Sequence, residues 1–252
     1  MSAVSNSVVL SKEETKISSM FSSIAKSYDL INDLMTFGLA RRWRRQLVDW
    51  SEVKSSDVVL DCATGTGDLA LVFAQRMKPK NTLQTSSIKN SVQITGIDFC
   101  KEMLELAPSK ADSRGYKINF VHGDVMTMPF KDAQFDVISI AYGLRNVSDP
   151  IIAIREMARV CKPGGRILIL ETGASEPSIN GFFIRLFFKY VVPFIGGLFS
   201  GNKSAYEYLH KSSSVFPARK KLVEQFRETE LFSTIEYRSL LGGASYLYKL
   251  TV

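Results

Sequence analysis

The 252-residue chain contains three cysteines and two histidines, which leaves little for metal or disulfide chemistry. Cys62, Cys100 and Cys161 form no C-x2-C pair, and their odd number argues against a disulfide framework. All three lie in or beside apolar stretches, so buried thiols in a reducing compartment are expected. His122 and His210 are not spaced as a metal pair, and no metal site is expected. Long uncharged apolar runs are also lacking. The longest apolar stretch, 179–199, carries Arg185 and Lys189 in its middle, which makes it a poor spanning helix. The first 20 residues have no apolar core of a secretory signal. They also lack the arginines of a transit peptide, the first being Arg41, and Glu13 and Glu14 sit together. No internal repeat is visible.

Hydrophobic residues make up 45% of the chain and charged residues 23%, an ordinary globular composition that excludes wholesale disorder. The length suits one large domain with room for an insertion. Residues 1–19 read as a loose tail, and 20–252 as a single domain interrupted by an insertion at about 177–214. With 32 basic and 25 acidic residues the formal charge is +7. That excess is compatible with an anionic ligand, a membrane surface or nucleic acid, and decides among none of them.

From Asp57 onward, short apolar runs alternate with helix-period segments. Strands are expected at 58–60, 94–97, 118–121, 135–141 and 166–171. Helices are expected at 68–77, 103–107 and 150–160, the last opening on Pro150, where proline is tolerated. Residues 162–165, Lys-Pro-Gly-Gly, read as a turn. The polar segment 78–93 reads as an exposed loop. This alternation predicts an α/β fold, a doubly wound and mostly parallel sheet. The rhythm then changes: a helix at 218–230 precedes two strand-like runs, 234–240 and 245–251, around Gly242-Gly243, which predicts a terminal antiparallel hairpin.

The sharpest local signal is Asp61-Cys62-Ala63-Thr64-Gly65-Thr66-Gly67-Asp68, where a buried strand ends in an acid and passes through a glycine turn into a helix. Ligands bind at the carboxyl ends of strands in such sheets, and glycine lets backbone approach them closely. Gly65-Thr66-Gly67-Asp68-Leu69-Ala70 also satisfies the loose dinucleotide pattern. A pyrophosphate, however, would meet the negative charge of Asp61, and the next acid after Asp68 is the distant Asp98. S-adenosylmethionine fits better, since it has no phosphate and carries a cationic sulfonium and an amino group. Asp61 and the turn residues Gly65, Thr66 and Gly67 would face the amino-acid end. Asp98, ending the second strand, would accept both ribose hydroxyls. Asp124, after the third strand, would accept from the adenine amine. Each acid taken singly reads equally well as a helix cap or loop acceptor.

Several segments resemble one family, the UbiE/MenG quinone C-methyltransferases. They are Tyr28-Asp29-x-x-Asn32-Asp33-x-x-Thr36-Phe37-Gly38, Gly143-Leu144-Arg145-Asn146-Val147, Lys162-Pro163-Gly164-Gly165 with the strand after it, Tyr206-x-Tyr208-Leu209 and Phe216-Pro217. Departures fall at Ala40, Ala63 and Ala141. The resemblance implies a class I, Rossmann-like methyltransferase with a seven-stranded sheet, N-terminal helices and a helical lid at the insertion. It implies Val125 and Ala141 as further cofactor-binding positions. The implied reaction is methyl transfer from S-adenosylmethionine to a ring carbon of a polyprenylated quinol, demethylmenaquinol foremost, with a polyprenyl-methoxybenzoquinol of ubiquinone synthesis as the alternative. An NAD(P)-dependent reductase and a non-catalytic lipid-quinone-binding module are more distant readings.

A quinol carbon becomes nucleophilic when the adjacent hydroxyl loses its proton, so the site must remove that proton and hold the oxyanion. Arg145 is a candidate for stabilising the oxyanion and Asn146 for orienting a hydroxyl; a salt bridge from Arg145 to a strand-end acid is the other reading. Tyr28 or Asp29 would relay the proton through a water, or else only pack and cap a helix. The segment 182–190 carries four phenylalanines, with Arg185 and Lys189 on one helical face, the pattern of an interfacial helix. The expected partners are therefore a polyprenylated quinol and, transiently, a membrane surface, with no nucleic acid and with homodimerisation open. The expected location is the cytoplasm, or an organelle matrix, at the membrane periphery.

Overall fold

The computed structural model describes residues 17, 19–25, 29, 33, 36–78, 93–172, 212, 216–217 and 219–252. Tyr28, His210, the loop 79–92, the aromatic segment 182–190 and all of the expected insertion except Ser212 lie outside the described residues.

Seven strands make one sheet: β1 (Val59–Cys62), β2 (Ile94–Asp98), β3 (Asn119–His122), β4 (Phe135–Ala141), β5 (Cys161–Glu171), β6 (Thr234–Leu240) and β7 (Ser245–Thr251). The order across it is β3-β2-β1-β4-β5-β7-β6. The first five strands are mutually parallel, while β7 runs antiparallel to both β5 and β6. The doubly wound sheet and the terminal hairpin are thus as expected. Gly242 and Gly243 both take positive φ, 64° and 98°, in the hairpin turn. From β1 the chain first winds outward through β2 and β3, then returns to place β4 on the other side. A ligand crevice forms at such a switch point, outside the carboxyl ends of the strands.

The strands read as continuous apolar runs because both faces are covered. Alternate residues face opposite sides. Leu60, Ile138, Ile140, Ile167 and Ile169 pack with α5 (Pro150–Val160) and α6 (Lys220–Arg227). Val59, Val137, Leu168 and Leu170 pack with α1 (Leu39–Ser51) and α2 (Asp68–Met77). The start of α5 is locally encoded. Asp149 accepts from the amides of Ile151 and Ile152 at 2.9 and 3.0 Å, and Pro150 takes the first helical position, where it loses no hydrogen bond.

Beyond shifts of one to three residues at element ends, two elements differ from expectation in kind. The single helix expected at 103–107 is two, α3 (Lys101–Leu104) and α4 (Ala107–Ser113). Pro108 cannot donate into the first helix's ladder, so it belongs to the opening turn of the second. Lys-Pro-Gly-Gly at 162–165 does not separate a helix from a strand. It lies inside β5 as an irregularity, where the register with β4 passes from Phe135↔Cys161 to Val137↔Arg166. Gly164, at φ 73°, and Gly165 are held there by the chain's last residue, Val252. That partner is remote in sequence, which is why the dipeptide reads locally as a simple turn.

Candidate active site

A cleft opens at the switch point, outside the carboxyl ends of the strands. Its wall includes Asp61, Gly65, Thr66, Asp98, Val125 and Ala141, with Asp29 and Phe21 from the N-terminal segment and Gly143 and Asn146 from the turn after β4. The carboxyl ends of β1, β2 and β4 therefore share one cavity with an N-terminal residue far away in sequence.

Asp61 is 1% exposed and belongs to the turn as much as to the cavity. It accepts from the Thr64 hydroxyl at 2.6 Å and from the Ser139 hydroxyl, its register partner on β4, at 2.8 Å. Asp98 accepts from the amide of Gly65 at 2.7 Å and from that of Cys100 at 2.8 Å, so it anchors the glycine turn of β1 to the end of β2. Burial raises both carboxyls from their ordinary range to about 6, and their hydrogen bonds only partly offset that rise. Two buried acids with so few fixed countercharges suit a cationic or hydroxyl-rich ligand.

The turn itself alternates left-handed backbone, with φ 49° at Ala63, 56° at Gly65 and 82° at Gly67. Gly67 has a second reason to be glycine: a Cβ there would stand 3.1 Å from the Phe120 ring and 3.3 Å from Ala107. Gly143 has an unstrained backbone, but a Cβ on it would fall 2.5 Å from the Cβ of Ala63 and 3.2 Å from Ile140. The two turns that bound the cleft thus touch through this one glycine. Gly143→Ala is expected to cost about 1–3 kcal/mol through overpacking. Ala63→Gly should restore part of that loss, because it removes the clashing methyl and relieves a left-handed alanine. Thermal unfolding of the two single variants and the double variant checks this, and an additive double variant would contradict it.

Asp124 is half-buried and accepts from the amide of Met126 at 2.8 Å; at this strand end the cavity wall is Val125. His122 is exposed, with a ring nitrogen 3.0 Å from the Phe99 carbonyl. Asn146 is buried in the wall, its amide nitrogen donating to the Tyr142 carbonyl at 3.2 Å. Arg145, one residue earlier, turns the other way. Its guanidinium pairs with Glu171, at the end of β5, with side chains 6% and 1% exposed, and its amide donates to the same carboxylate at 3.2 Å. Asp29 lines the cleft and accepts from the Thr66 hydroxyl at 2.9 Å and from Lys110 at 2.5 Å.

Lys110, Arg44 and Tyr142 carry weight that the sequence did not announce. Arg44 is 8% exposed, lines the cleft and pairs with Asp68 at 3.3 Å. Tyr142 lines it too, at φ 58°, with its hydroxyl buried toward Ser245. Backbone strain of this kind on a bulky residue persists where surrounding structure enforces it. Lys110 reaches the site from 81 residues beyond Asp29, a contact no local pattern reveals.

The residues present suit S-adenosylmethionine. The left-handed turn admits close backbone approach, the buried acids suit hydroxyls and positive charge, and Val125 and Ala141 offer apolar wall. Comparison with known proteins agrees in kind. Residues 9–249 match the ubiE/COQ5 methyltransferase family. The chain belongs to that family. It is 44% identical over 236 residues to the ubiquinone/menaquinone biosynthesis C-methyltransferase UbiE of Bdellovibrio bacteriovorus, covering 94% of this chain and 95% of that protein. It is 42% identical to the demethylmenaquinone methyltransferase of Thermus thermophilus, over 81% of this chain and 87% of that one. Among solved structures, a SAM-dependent methyltransferase of Aquifex aeolicus superposes at TM-score 0.53 with 15% identity, covering 83% and 89% of the two chains. The [4+2]-cyclase SpnF superposes at 0.59 with 15% identity, over 97% of each chain. A cyclase on the same fold shows that architecture alone does not fix the chemistry. Family membership, which rests on sequence across nearly the whole chain, is the stronger finding, and it sets the NAD(P)-reductase reading aside.

Proposed function

We propose that this enzyme transfers a methyl group from S-adenosylmethionine to a ring carbon of a polyprenylated quinol, demethylmenaquinol foremost. The observation that carries the reading is the shared cavity: the glycine turn after β1, Asp98 after β2 and Asn146 after β4 line one cleft. On this reading donor and acceptor meet at a single wall. The cofactor supplies an electrophilic methyl on a sulfonium. Asp98 receives the ribose hydroxyls, and Asp61 and the Thr66 turn face the amino-acid end. Val125 and Ala141 would flank the nucleoside, whereas Asp124, expected at the adenine, lies outside the cleft wall and accepts from the Met126 amide. Asn146, its amide already fixed by Tyr142, orients a ring hydroxyl. A water held against Asp29 takes that hydroxyl's proton, with Tyr28 assisting. Bound S-adenosylmethionine would supply the methyl to the ring carbon and leave as the neutral sulfide, and the ring proton would pass to the water beside Asp29, restoring the aromatic system. Arg145 acts as a positioning residue: its pairing with Glu171 fixes the turn that presents Asn146.

A benzoquinol of ubiquinone synthesis is the second reading, and the name of the Bdellovibrio relative favours keeping it. Radiolabelled methyl donor tested against prenylated naphthoquinols and benzoquinols decides between them. Labelling of neither ring would overturn the proposal and leave the binding-module reading. Among the described residues no helix is long and apolar enough to cross a membrane. On this reading the lipid quinol is met at the bilayer surface. Arg41, Arg42 and Arg45, exposed on α1, supply attraction to anionic headgroups there.

The pH dependence follows from Asp61 and Asp98. Both lose their charge as pH falls through about 6, so affinity for S-adenosylmethionine should be flat above pH 7 and fall steadily below 6. Stability of the cofactor-free protein should move the opposite way. Ordinary carboxyls of the unfolded chain titrate near 4, so between pH 7 and 5.5 the native state binds more protons and gains stability as pH drops. Calorimetric titration and thermal unfolding across that range check both signs.

A further inference from the structure

Lys110 sits on α4, outside every role described so far, with its side chain 21% exposed. Its ammonium has three protons and meets three acceptors: Asp29 at 2.5 Å, Asp68 at 2.5 Å and the Thr66 hydroxyl at 3.0 Å. Thr66 in turn donates to Asp29 at 2.9 Å. The set is closed, because the lysine's donors are used up and the threonine both gives and receives. It joins three parts of the chain that are remote in sequence: the N-terminal segment at Asp29, the cofactor turn with the first residue of α2, and α4. A second tie, farther along the cleft, is made by residues 21 and 22. Ser22 donates to Glu102 at 2.7 Å, and Phe21 lines the cavity beside Cys100 and Met103.

Charge gives this network a second consequence. The cavity wall carries four carboxylates, Asp29, Asp61, Asp68 and Asp98, and one guanidinium, Arg44. Lys110 neutralises Asp29 and shares Asp68 with Arg44, and these cations hold the Asp68 carboxyl below its ordinary range even though burial works to raise it. The acids left to meet the cofactor itself are then Asp61 and Asp98.

We infer that Lys110 is the latch that holds Asp29 against the cofactor turn and sets how long the cofactor stays. The inference rests on the cleft being the S-adenosylmethionine site and deepens that reading. Cofactor contacts run through Asp98 and the turn, whereas Lys110 acts by keeping Asp29 and Thr66 in place. It is a positioning residue. Because the latch is made of partly exposed charges, it must loosen as salt screens them.

Stopped-flow and calorimetric binding of S-adenosylhomocysteine to the full chain tests this. Lys110→Met should raise the dissociation rate about tenfold and leave association within about threefold, the pattern expected when retention rather than encounter is altered. Wild-type dissociation should quicken between low and high salt, and that of Lys110→Met should be nearly salt-independent. Thr66→Val removes one hydroxyl from the same network without touching charge. If the network is one unit, the double variant with Lys110→Met should be no worse than the poorer single variant, because both remove the same latch. Lys110→Arg should keep most of the retention.

Unchanged dissociation in Lys110→Met, strictly additive single effects, or equal salt dependence in wild type and variant would each overturn the latch. A lower melting temperature with unaltered dissociation would make Lys110 merely structural and would overturn it as well. The quinol reading is separable: wild type that binds S-adenosylhomocysteine but methylates no quinol ring sinks that reading and leaves the latch standing.

Discussion

Replacing Glu171 by alanine should lower stability by about 3–5 kcal/mol, because it strips a buried guanidinium of its carboxylate. The Arg145–Glu171 pair lies almost wholly out of water, and Glu171 also accepts from the amide of Thr172 at 2.8 Å as well as from that of Arg145. Its removal therefore disturbs one ion pair and two backbone donors together. Against a typical total of about 5–15 kcal/mol this is a large share, and urea unfolding should show it as a shifted midpoint at constant slope. Replacing both partners, Arg145→Met with Glu171→Leu, should recover most of the loss, since no charge is left stranded. The double variant should nevertheless turn over more slowly, because the turn carrying Asn146 is no longer tied to β5. A Glu171→Ala protein within about 1 kcal/mol of wild type would mean that the pair is effectively hydrated and that Arg145 is available for work inside the cleft.

Asp98→Ala should weaken cofactor binding at least tenfold, about 1.4 kcal/mol. The side chain is 5% exposed and holds the amides of Gly65 and Cys100, so it shapes the wall that it also charges. Its loss removes the ribose acceptor and leaves two donors at the cleft without their carboxylate. Asp98→Asn should not rescue binding, because one of the two amides would then face an NH2 group. Calorimetric titration with S-adenosylhomocysteine measures this directly, and an undiminished affinity would sink the ribose role. Melting temperature separates the two contributions. A carboxyl raised to about 6 is a burden on the folded state at neutral pH, so stability should suffer less than affinity.

Much of the architecture was legible because its signals are local. The run 135–141 became β4 at those bounds, and the two runs around Gly242-Gly243 became β6 and β7 at theirs. Apolar length and β-branched content define a buried strand within a few residues, and paired glycines define a tight turn. Pro108 and the Lys-Pro-Gly-Gly segment were harder, because the chain restarts a helix at one and loops out within a strand at the other. Both outcomes depend on what packs or pairs alongside, in the second case the C-terminal Val252.

The site divides in the same way. Residue order alone told that acids end successive strands and that a glycine turn opens a helix, since strand ends and turns are written in short stretches of residue type. It also determined the family, which rests on blocks spread along the whole chain. Which way the side chains of adjacent residues point was set by packing in three dimensions. It put Asn146 in the cleft wall and Arg145 against Glu171, a divergence set by the short 3-10 turn at Leu144–Asn146. It also decided that Lys110 meets Asp29 and Thr66. Electrostatic and steric partners separated by tens of residues are chosen by how helices and strands pack, and no local pattern encodes that choice.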